Sequence, residues 1–264
     1  MKDVVESYEN YKEEHRLTTN KARRIEFITS VRAIDEVITP NAKILDCGAG
    51  TGQYSLYYAK RGFDVTALDI TPRHVDIMRR EISENNIDMK AILGNATDLS
   101  EFEDNTFDVV MCMGPYYHLP DVGLRMKCLD ECLRVLKNRG LLVLAYISRY
   151  FVFNYVALSN KEFLTSELSR KLMETGELRS SDPDCFWTDC YFSTPNEVEK
   201  DMANRNMEVI DHLAVDGLAP ILREKVDNLT EEEYKVWCDS HYLMCREPSI
   251  LGASNHGLMI TRKE

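Results

Sequence analysis

A short run of small residues with an acid at its head is the feature of this sequence best suited to chemistry. The run is D-C-G-A-G-T-G, Asp46 to Gly52, and it begins at the end of the apolar stretch Ala42 to Cys47. Because glycine has no Cβ, such a turn lets the backbone pass close to a ligand. The helix predicted after the turn has first N–H groups without partners inside the helix, and these are available to the same ligand. The run therefore predicts a small-molecule site.

The spacing of the glycines narrows the class of ligand. A dinucleotide-binding turn has the pattern G-x-G-x-x-G, and counted from Gly48 its third glycine would stand where this chain has Gln53. The pattern present is G-x-G-x-G, with an acid two residues before the first glycine. A second acid, Asp69, ends the next predicted strand, where a carboxylate can accept both hydroxyls of a ribose. Ribose binding alone does not separate the ligand classes, but the form D-x-G-x-G-x-G does.

A second group of chemically capable residues follows the fourth predicted strand. The string G-P-Y-Y-H-L, Gly114 to Leu119, leaves that strand at its carboxyl end. His118 is a candidate general base because the ordinary pKa of its side chain lies near neutrality. Tyr116 or Tyr117 would position the reacting partner, which makes all three candidate catalytic residues. The alternative is that His118 hydrogen-bonds the backbone and that the tyrosines only pack the wall of the site.

Alternating strand and helix patterns position these residues. Apolar strands are predicted at 42–47, 64–69, 90–93, 107–113, 141–145, 207–215 and 256–261. Helices are predicted at 21–38, 53–60, from 72 onward, and at 122–136, 161–174, 195–205 and 218–245. Continuous apolar strands between amphipathic helices indicate a sheet covered on both faces, and right-handed crossovers make it doubly wound. We expect an α/β fold with a mostly parallel seven-stranded sheet and helical insertions in its C-terminal half.

The composition is that of an ordinary globular protein, with 44% hydrophobic and 29% charged residues. No stretch approaches the roughly 20 apolar residues of a membrane span. Met1 to Glu14 lacks the basic start and apolar run of a signal peptide, so we expect a cytoplasmic protein. The net charge of −12 repels phosphate backbones, which makes nucleic acid an unfavoured partner. We expect a monomer or a homodimer.

The eight cysteines raise the question of a metal site or of disulfides. No C-x-x-C pair is present, Cys128 and Cys132 share one flank of a predicted helix, and Cys185 and Cys190 lie in a polar stretch. In a cytoplasmic chain such residues are typically free thiols that pack as small apolar side chains. We therefore expect no metal and no disulfide.

The glycine turn resembles motif I of the class I methyltransferases that depend on S-adenosylmethionine (SAM). Leu136 to Gly140, L-K-N-R-G, resembles the L-K-P-G-G turn of that family, and Gly94-Asn95-Ala96 stands where the family often has G-D-A. These marks extend over 42–145. The string G-P-x-Y-H-L resembles a subgroup of small bacterial members, and so does the N-terminal stretch 8–27. Its matching points are Tyr8, Tyr11, Arg16, Arg24, Glu26 and Phe27.

The resemblance implies a cofactor site in which SAM is converted to S-adenosylhomocysteine. Its core residues would be Asp46, Gly48, Ala49, Gly50, Gly52, Asp69, Ile70, Asn95, Ala96 and Met113. Asp46 and Gly48 would lie under the amino group of the methionine part, and Asp69 would hold the ribose. Asn95 and Ala96 would read the edge of the adenine, where the Asn95 amide oxygen can accept from the adenine amino group.

Further roles follow from the same resemblance. Ile70 would pack on the adenine, and Met113 would border the methionine part. Arg16 or Arg24 would pair with the methionine carboxylate in a bidentate manner. The alternative for both arginines is a solvated, charged start of the helix at 21–38.

The predicted organisation has four parts. Residues 1–40 form an N-terminal helical lid segment, 41–148 the SAM-binding core, 149–192 an aromatic-rich cap insertion, and 193–264 the rest of the sheet with a helical insertion at 218–247. The cap would exclude water and contact an apolar or aromatic acceptor, or else it is a small core that only holds the insertion together. Because the lid is polar, we expect residues before about Lys21 to be ordered only with cofactor.

Three functions remain open. The first is methyl transfer to an oxygen or nitrogen atom of a small molecule, which the acidic charge and the aromatic cap favour. The second is the same reaction on a protein or a tRNA, which an electropositive face beside the cofactor would favour. The third is a non-catalytic SAM-binding protein, which a blocked acceptor pocket would indicate. An NAD-dependent oxidoreductase is unfavoured because Gln53 breaks its pattern.

Overall fold

A computed structural model describes residues 2–10 and 13–264 of the chain. Among these residues, seven strands form one main sheet and two form a small sheet. In chain order they are β1 (Lys43–Cys47), β2 (Asp64–Asp69), β3 (Lys90–Leu93), β4 (Phe107–Cys112), β5 (Leu136–Ile147), β6 (Glu177–Leu178), β7 (Cys190–Tyr191), β8 (Met207–Ala214) and β9 (His256–Lys263). The main sheet has the order β3-β2-β1-β4-β5-β9-β8, and only β9 runs antiparallel to its neighbours. The predicted doubly wound, mostly parallel sheet is confirmed.

Eleven α-helices lie within the described residues. They are α1 (Lys2–Asn10), α2 (Lys21–Asp35), α3 (Gln53–Ala59), α4 (Pro72–Asn85), α5 (Val122–Val135), α6 (Arg149–Ser159), α7 (Ser166–Thr175), α8 (Pro195–Ala203), α9 (Arg223–Asp227), α10 (Glu231–Met244) and α11 (Pro248–Leu251). Local chemistry starts several of them: the side chains of Asn20 and Asp121 accept N–H groups from the first turns of α2 and α5. None of these helices is long and apolar enough to cross a membrane.

The main sheet is covered on both faces because successive residues of its strands point to opposite sides. In β4, Val109 and Met111 belong to a core that includes side chains of α2, α3 and α4. Val110 and Cys112 belong to a second core, which includes side chains of α5 and α8. With cores on both faces, the central strands are buried throughout, which explains their near-continuous apolar sequences.

The order of the strands places a crevice at one edge of the sheet. From β1 the chain proceeds outward to β2 and β3, and it then returns to the other side of β1 to form β4. In such sheets the crevice outside the carboxyl ends of the strands, at the point where the winding reverses, is where ligands bind. The residues that follow β1, β2 and β4 therefore meet at one place, and these include the glycine turn, Asp69 and the G-P-Y-Y-H-L string.

Two predicted element boundaries are corrected. β5 begins at Leu136 and not near 141, because Leu136 already pairs with Phe107 before a shift in register. The predicted turn at 138–140 persists inside the strand as a kink, in which Arg139 has a φ of 63°. The helical stretch predicted at 218–245 is divided into α9 and α10, because Thr230 opens a new helix with a capping box.

Candidate active site

A cavity opens at the carboxyl ends of β1, β2 and β4, and we call it the first cavity. Its wall is formed by the glycine turn, the loops after β2 and β3, the short 3₁₀ helix Pro115–His118 and α1. The predicted site residues in this wall are Arg16, Asp46, Gly48, Ala49, Gly50, Asp69, Ile70, Asn95, Ala96, Met113, Tyr117 and His118. Residues from six separate parts of the sequence thus line a single space.

Asp69 holds the glycine turn in shape. Its Oδ2 accepts the N–H of Gly50 and its Oδ1 accepts the N–H of Thr71, both at 2.8 Å. A carboxylate has about four acceptor positions, so Asp69 can still accept from a ligand. Gly48 has a φ of 71°, and a Cβ at this position would lie 2.4 Å from Cδ of Pro115. Only glycine fits there without a shift of the loop after β4.

Asp46 is a buried carboxyl group at the start of the glycine turn. Its side chain is buried, and its Oδ2 accepts a 2.6 Å hydrogen bond from Ser55 Oγ. Burial raises the pKa of Asp46 to about 7, and nearby Asp69 adds to this, although the hydrogen bond from Ser55 lowers it. Among the residues that the structure describes, no basic side chain forms an ion pair with Asp46. A cationic group bound in the first cavity would stabilise the charged carboxylate.

The loop after β3 contributes Asn95, whose Oδ1 accepts the N–H of Thr97 at 3.0 Å. This turn fixes the amide, so recognition of an adenine by Asn95 remains a prediction. Sequence reasoning missed His74, which lines the first cavity with its Nδ1 3.2 Å from Asp69 Oδ1. Its Nε2 is buried and has no hydrogen-bond partner in the described part of the chain. An early position in α4 gave no local signal of this role.

α1 lies against the first cavity and contributes Val4 and Tyr8 to its wall. The ring of Tyr8 meets the rings of His74 and His118 edge-on, with centroids 5.5 and 5.4 Å apart. Tyr11, which belongs to the same resemblance, lies outside the described residues. The position of α1 is consistent with the predicted lid segment, whose movement remains a prediction.

His118 has both ring nitrogens engaged. Nδ1 lies 3.2 Å from the carbonyl oxygen of Asp189, which can only accept, so Nδ1 carries the hydrogen. Nε2 then accepts from the hydroxyl of Tyr8 at 2.9 Å. Burial lowers the pKa of His118 to about 4, although the Asp189 carbonyl opposes this shift. The imidazole is therefore neutral, but Tyr8 would have to move away before Nε2 could take a proton.

The two predicted arginines lie in different places. Arg16 contacts both oxygens of Glu26, at 2.7 and 3.0 Å, and its Nε donates to Glu13 at 2.8 Å. It lines the first cavity with two carboxylates already bound. Arg24 does not reach the cavity: its guanidinium lies 3.3 Å from Glu231 and covers the ring of Tyr234 at 5.0 Å. The expectation for Arg24 is corrected, because it lies on the side of α2 that faces α10.

Two further predictions are corrected. Tyr116 is fully buried, and its hydroxyl donates to Asp201 at 2.8 Å, so it does not line the cavity. Tyr117 does, with its hydroxyl bonded to the carbonyl oxygen of Met113 at 3.1 Å. Gly52 lies outside the wall and serves as the N-cap of α3 with a φ of 84°. The conformation of the turn, and not contact with a ligand, requires a glycine there.

A second cavity adjoins the first, and Tyr8, Glu13, Arg16 and Tyr117 line both. Side chains of the stretch 149–192 form one part of its wall: Val152, Tyr155, Val156, Phe186, Trp187 and Phe192. Another part is polar and brings together three residues to which the sequence analysis assigned no role in the site: Glu26, Asp216 and His256. Their ligand atoms lie within 4.8 Å of one another. The three come from α2, from the residues after β8 and from the start of β9, so no local motif marks them.

No disulfide joins the cysteines of the described residues, and four of them are gathered in one place. Cys47 and Cys112 are register partners on β1 and β4, and Cys128 and Cys132 face them from α5. All four are fully buried, and Sγ of Cys112 lies 3.9 Å from Sγ of Cys128. We call these four residues the thiol cluster. Their spacing in the sequence did not predict this convergence.

Comparisons with known proteins agree with this geometry. Residues 44–140 match the model of a family described as a methyltransferase domain. The chain is 29% identical over 134 residues to a protein of Xanthomonas campestris pv. campestris named ubiquinone biosynthesis O-methyltransferase. That match includes 51% of this chain and 55% of the relative, so it spans about half of each protein.

Solved structures resemble the chain over almost its whole length. A SAM-dependent methyltransferase from Methanosarcina mazei is 20% identical with a TM-score of 0.60, covering 88% of this chain and 96% of that one. A 1,6-didemethyltoxoflavin-N1-methyltransferase from Burkholderia thailandensis, solved with bound 1,6-didemethyltoxoflavin and S-adenosylhomocysteine, is 13% identical with a TM-score of 0.57. It covers 98% of this chain and 85% of its own length. The chain therefore has the fold of the class I methyltransferases.

Proposed function

We propose that this chain is a SAM-dependent methyltransferase that methylates an oxygen or nitrogen atom of a small molecule. The observation that carries the proposal is the first cavity, where a glycine turn, the Asp69 carboxylate and the cation-free Asp46 meet. The match of residues 44–140 to a methyltransferase domain supports it. The resemblance to the subgroup with the G-P-x-Y-H-L string is part of the same proposal.

The residues of the first cavity suit the parts of SAM in turn. Asp46 offers a negative charge to the α-ammonium group, and Asp69 offers acceptor oxygens to the ribose hydroxyls. Ile70 and Ala96 provide apolar surface for the adenine, and Met113 borders the methionine part. When bound, SAM supplies a methyl group on a positively charged sulfur, which a nucleophile attacks in line. The chain needs to hold the acceptor in that line and to exclude water.

The second cavity supports a small acceptor over a macromolecular one. It shares a wall with the first cavity, and side chains from the stretch 149–192 line it. A pocket partly closed by such a cap suits a molecule that enters whole. The presence of an open space next to the cofactor cavity also favours an enzyme over a non-catalytic SAM-binding protein.

The cofactor assignment predicts a selective binding experiment. Isothermal titration of the purified chain should show binding of SAM and of S-adenosylhomocysteine, and NAD should not compete with either. The physical reason is the turn at Gly48 to Gly52, which has Gln53 where a dinucleotide site has glycine. Binding of NAD without binding of SAM would refute the proposed function.

The N-terminal segment predicts a change in order on binding. Among the described side chains of α1, Val4 is buried and Tyr8 is half-buried, and both line the cofactor cavity. We expect backbone amides before about Lys21 to exchange hydrogen faster without S-adenosylhomocysteine than with it. Amides in the buried half of α2 serve as the internal control and should not change. Equal protection of the first residues in both states would indicate a permanently docked helix.

A further inference from the structure

Two of the three arginines in the wall of the second cavity are less tightly paired than the third, Arg16. Arg16 is held by Glu13 and Glu26, as described above. Arg23 also lines this cavity, and the part of the chain that the structure describes gives it no ion-pair partner. Arg223 lines it too and has a distant partner on its own helix, Asp227 at 3.5 Å. The wall also contains the carboxylates of Glu13, Glu26 and Asp216, but Arg16 and His256 already engage them. The guanidinium groups of Arg23 and Arg223 are therefore the ones available to an anion.

Part of the remaining wall of the second cavity is aromatic. Phe186 and Phe192 lie parallel, with ring centroids 6.0 Å apart, and Trp187 meets the ring of His118 edge-on at 5.0 Å. Trp187 is 43% exposed, which leaves part of its indole available for contact. Flat apolar surfaces of this kind favour an aromatic ligand, because stacked and edge-on ring contacts add to the burial of apolar area.

His256 is arranged as a base at this cavity. Its Nδ1 lies 2.8 Å from Oδ2 of Asp216, which can only accept, so the hydrogen is on Nδ1 when the ring is neutral. Asp216 is itself fixed by Ser254, whose hydroxyl donates to Oδ1 at 2.6 Å, and by the backbone N–H of His256 at 3.0 Å. The lone pair is therefore on Nε2, for which the described residues provide no partner. A carboxylate that orients an imidazole in this way is a recurrent device for general bases.

We propose that the second cavity binds the methyl acceptor, an aromatic acid with a ring hydroxyl group, and that His256, oriented by Asp216, removes the hydroxyl proton. Arg23 and Arg223 would hold the acid group, and the aromatic wall would hold the ring. This inference rests on the proposed methyltransferase function.

The proposed step balances without a further reactant. The hydroxyl oxygen forms the new bond to the methyl carbon, and the bond from that carbon to sulfur breaks with its electron pair on sulfur. The hydroxyl proton goes to Nε2 of His256 and leaves to solvent in the next step. A ring hydroxyl has an ordinary pKa of about 10, so it needs a base near neutral pH, whereas a neutral amine already has a free lone pair.

A metal ion at Glu26, Asp216 and His256 is the competing explanation for their convergence. Both oxygens of Glu26 are already engaged by Arg16, and a divalent ion beside that guanidinium would meet its positive charge. Nδ1 of His256 and Oδ2 of Asp216 face each other across a hydrogen bond, which an ion would have to replace. The hydrogen bonds already present among these three residues and Arg16 therefore favour proton transfer over metal binding as their role.

The charged groups around His256 determine the pH dependence. Burial lowers the pKa of His256, but the carboxylates of Glu26 and Asp216 outweigh this and raise it overall, against a small opposing effect of Arg16. Tyr117 faces the ring from the 3₁₀ helix, with centroids 6.5 Å apart, and Asn255 lies beside Nδ1. A base works only when unprotonated, so turnover should rise with pH through this elevated pKa.

Binding of the acceptor class is tested on protein loaded with S-adenosylhomocysteine. By calorimetry, 3,4-dihydroxybenzoate should bind at least about tenfold more tightly than catechol, because only the acid reaches the arginines. Replacing both Arg23→Ala and Arg223→Ala should remove this difference and leave catechol binding unchanged. Arg32→Ala, on the same helix but paired with Asp239 outside the cavity, is the matched control and should behave as wild type.

Proton transfer is tested with radiolabelled SAM and a panel of hydroxybenzoates that includes 3,4-dihydroxybenzoate. His256→Ala should lose roughly 10²–10⁴ in turnover at unchanged SAM affinity. His212→Ala is the matched control, because His212 also bonds a carboxylate through Nδ1 but faces neither cavity, and it should keep turnover. Asp216→Asn should shift the midpoint of the pH profile to lower pH, because it removes one of the two carboxylates that raise the pKa.

The outcomes separate this inference from the proposed function. Failure to bind S-adenosylhomocysteine would refute the proposed function itself. Normal cofactor binding, with no hydroxybenzoate bound or methylated, would overturn the acceptor class alone. Full turnover of His256→Ala would overturn the role of the base. Loss of activity on treatment with EDTA, with recovery on addition of Mg²⁺, would overturn the proposal that His256 is a base and would favour a metal site at these residues.

Discussion

Gly48→Ala should abolish most of the affinity for SAM while leaving a folded protein. The new Cβ would lie 2.4 Å from Cδ and 2.6 Å from Cγ of Pro115, so the turn and the loop after β4 must move apart. A φ of 71° adds strain of about 1–2 kcal/mol for a residue with a side chain. Overpacking of this kind typically costs about 1–3 kcal/mol. These costs are avoided only when the turn moves away from its present shape, and SAM binding needs that shape, so we expect a loss of affinity on the order of a hundredfold, measurable by calorimetry.

Gly62→Ala is the matched control for this experiment. Gly62 has a φ of 85°, but a Cβ there would meet no atom within 4 Å, and the residue lies away from both cavities. The substitution therefore introduces backbone strain without the clash. It should lower the thermal midpoint slightly and leave the Kd for SAM unchanged. Equal Kd changes in the two variants would mean that strain, and not the contact with Pro115, explains the effect.

Asp69→Ala should weaken SAM binding by about a hundredfold, because charge-assisted hydrogen bonds to two ribose hydroxyls are lost. The same change leaves the N–H groups of Gly50 and Thr71 without their acceptor, at a cost of about 1–3 kcal/mol in the free energy of unfolding. Urea denaturation and calorimetry measure the two effects separately. Asp69→Asn retains one acceptor oxygen and should give intermediate values.

Asp64→Ala controls for the loss of a carboxylate on the same strand. Asp64 begins β2 and is exposed, at the end of the strand remote from the cavity. Its substitution should leave the Kd for SAM unchanged and should alter the free energy of unfolding by no more than about 0.5 kcal/mol. If Asp69→Ala also bound SAM normally, Asp69 would be a purely structural residue that organises the turn.

The cofactor side of the site was predictable because its signals are local. The glycine turn, Asp69 and the strands around them can each be recognised from a few consecutive residues. The glycines indicate the backbone conformation of the turn, and the apolar runs indicate the strands. Parallel pairing then brings the ends of β1, β2 and β4 together without further information. The predicted residues in the first cavity come almost entirely from these segments.

The acceptor side was not predictable in the same way. Glu26, Asp216 and His256 are far apart in the sequence, and they meet only because β9 inserts between β5 and β8. In the sequence, His256 is the polar first residue of an apolar strand, and no neighbouring residue indicates that it could act as a general base. Burial also separates neighbours that look equivalent: Tyr116 turns into the core, whereas Tyr117 faces the cavity.

The thiol cluster can be used to measure how often α5 separates from the sheet. Its four sulfur atoms are enclosed between β1, β4 and α5, so an alkylating reagent can reach them only when α5 transiently separates from the sheet. When closing is faster than alkylation, the rate of modification measures the free energy of that separation, without any added label. Cys47 directly follows Asp46 in the chain and is a member of the cluster. A ligand that stabilises the glycine turn should therefore slow the alkylation of the thiol cluster, although the cluster belongs to the core on the other face of the sheet.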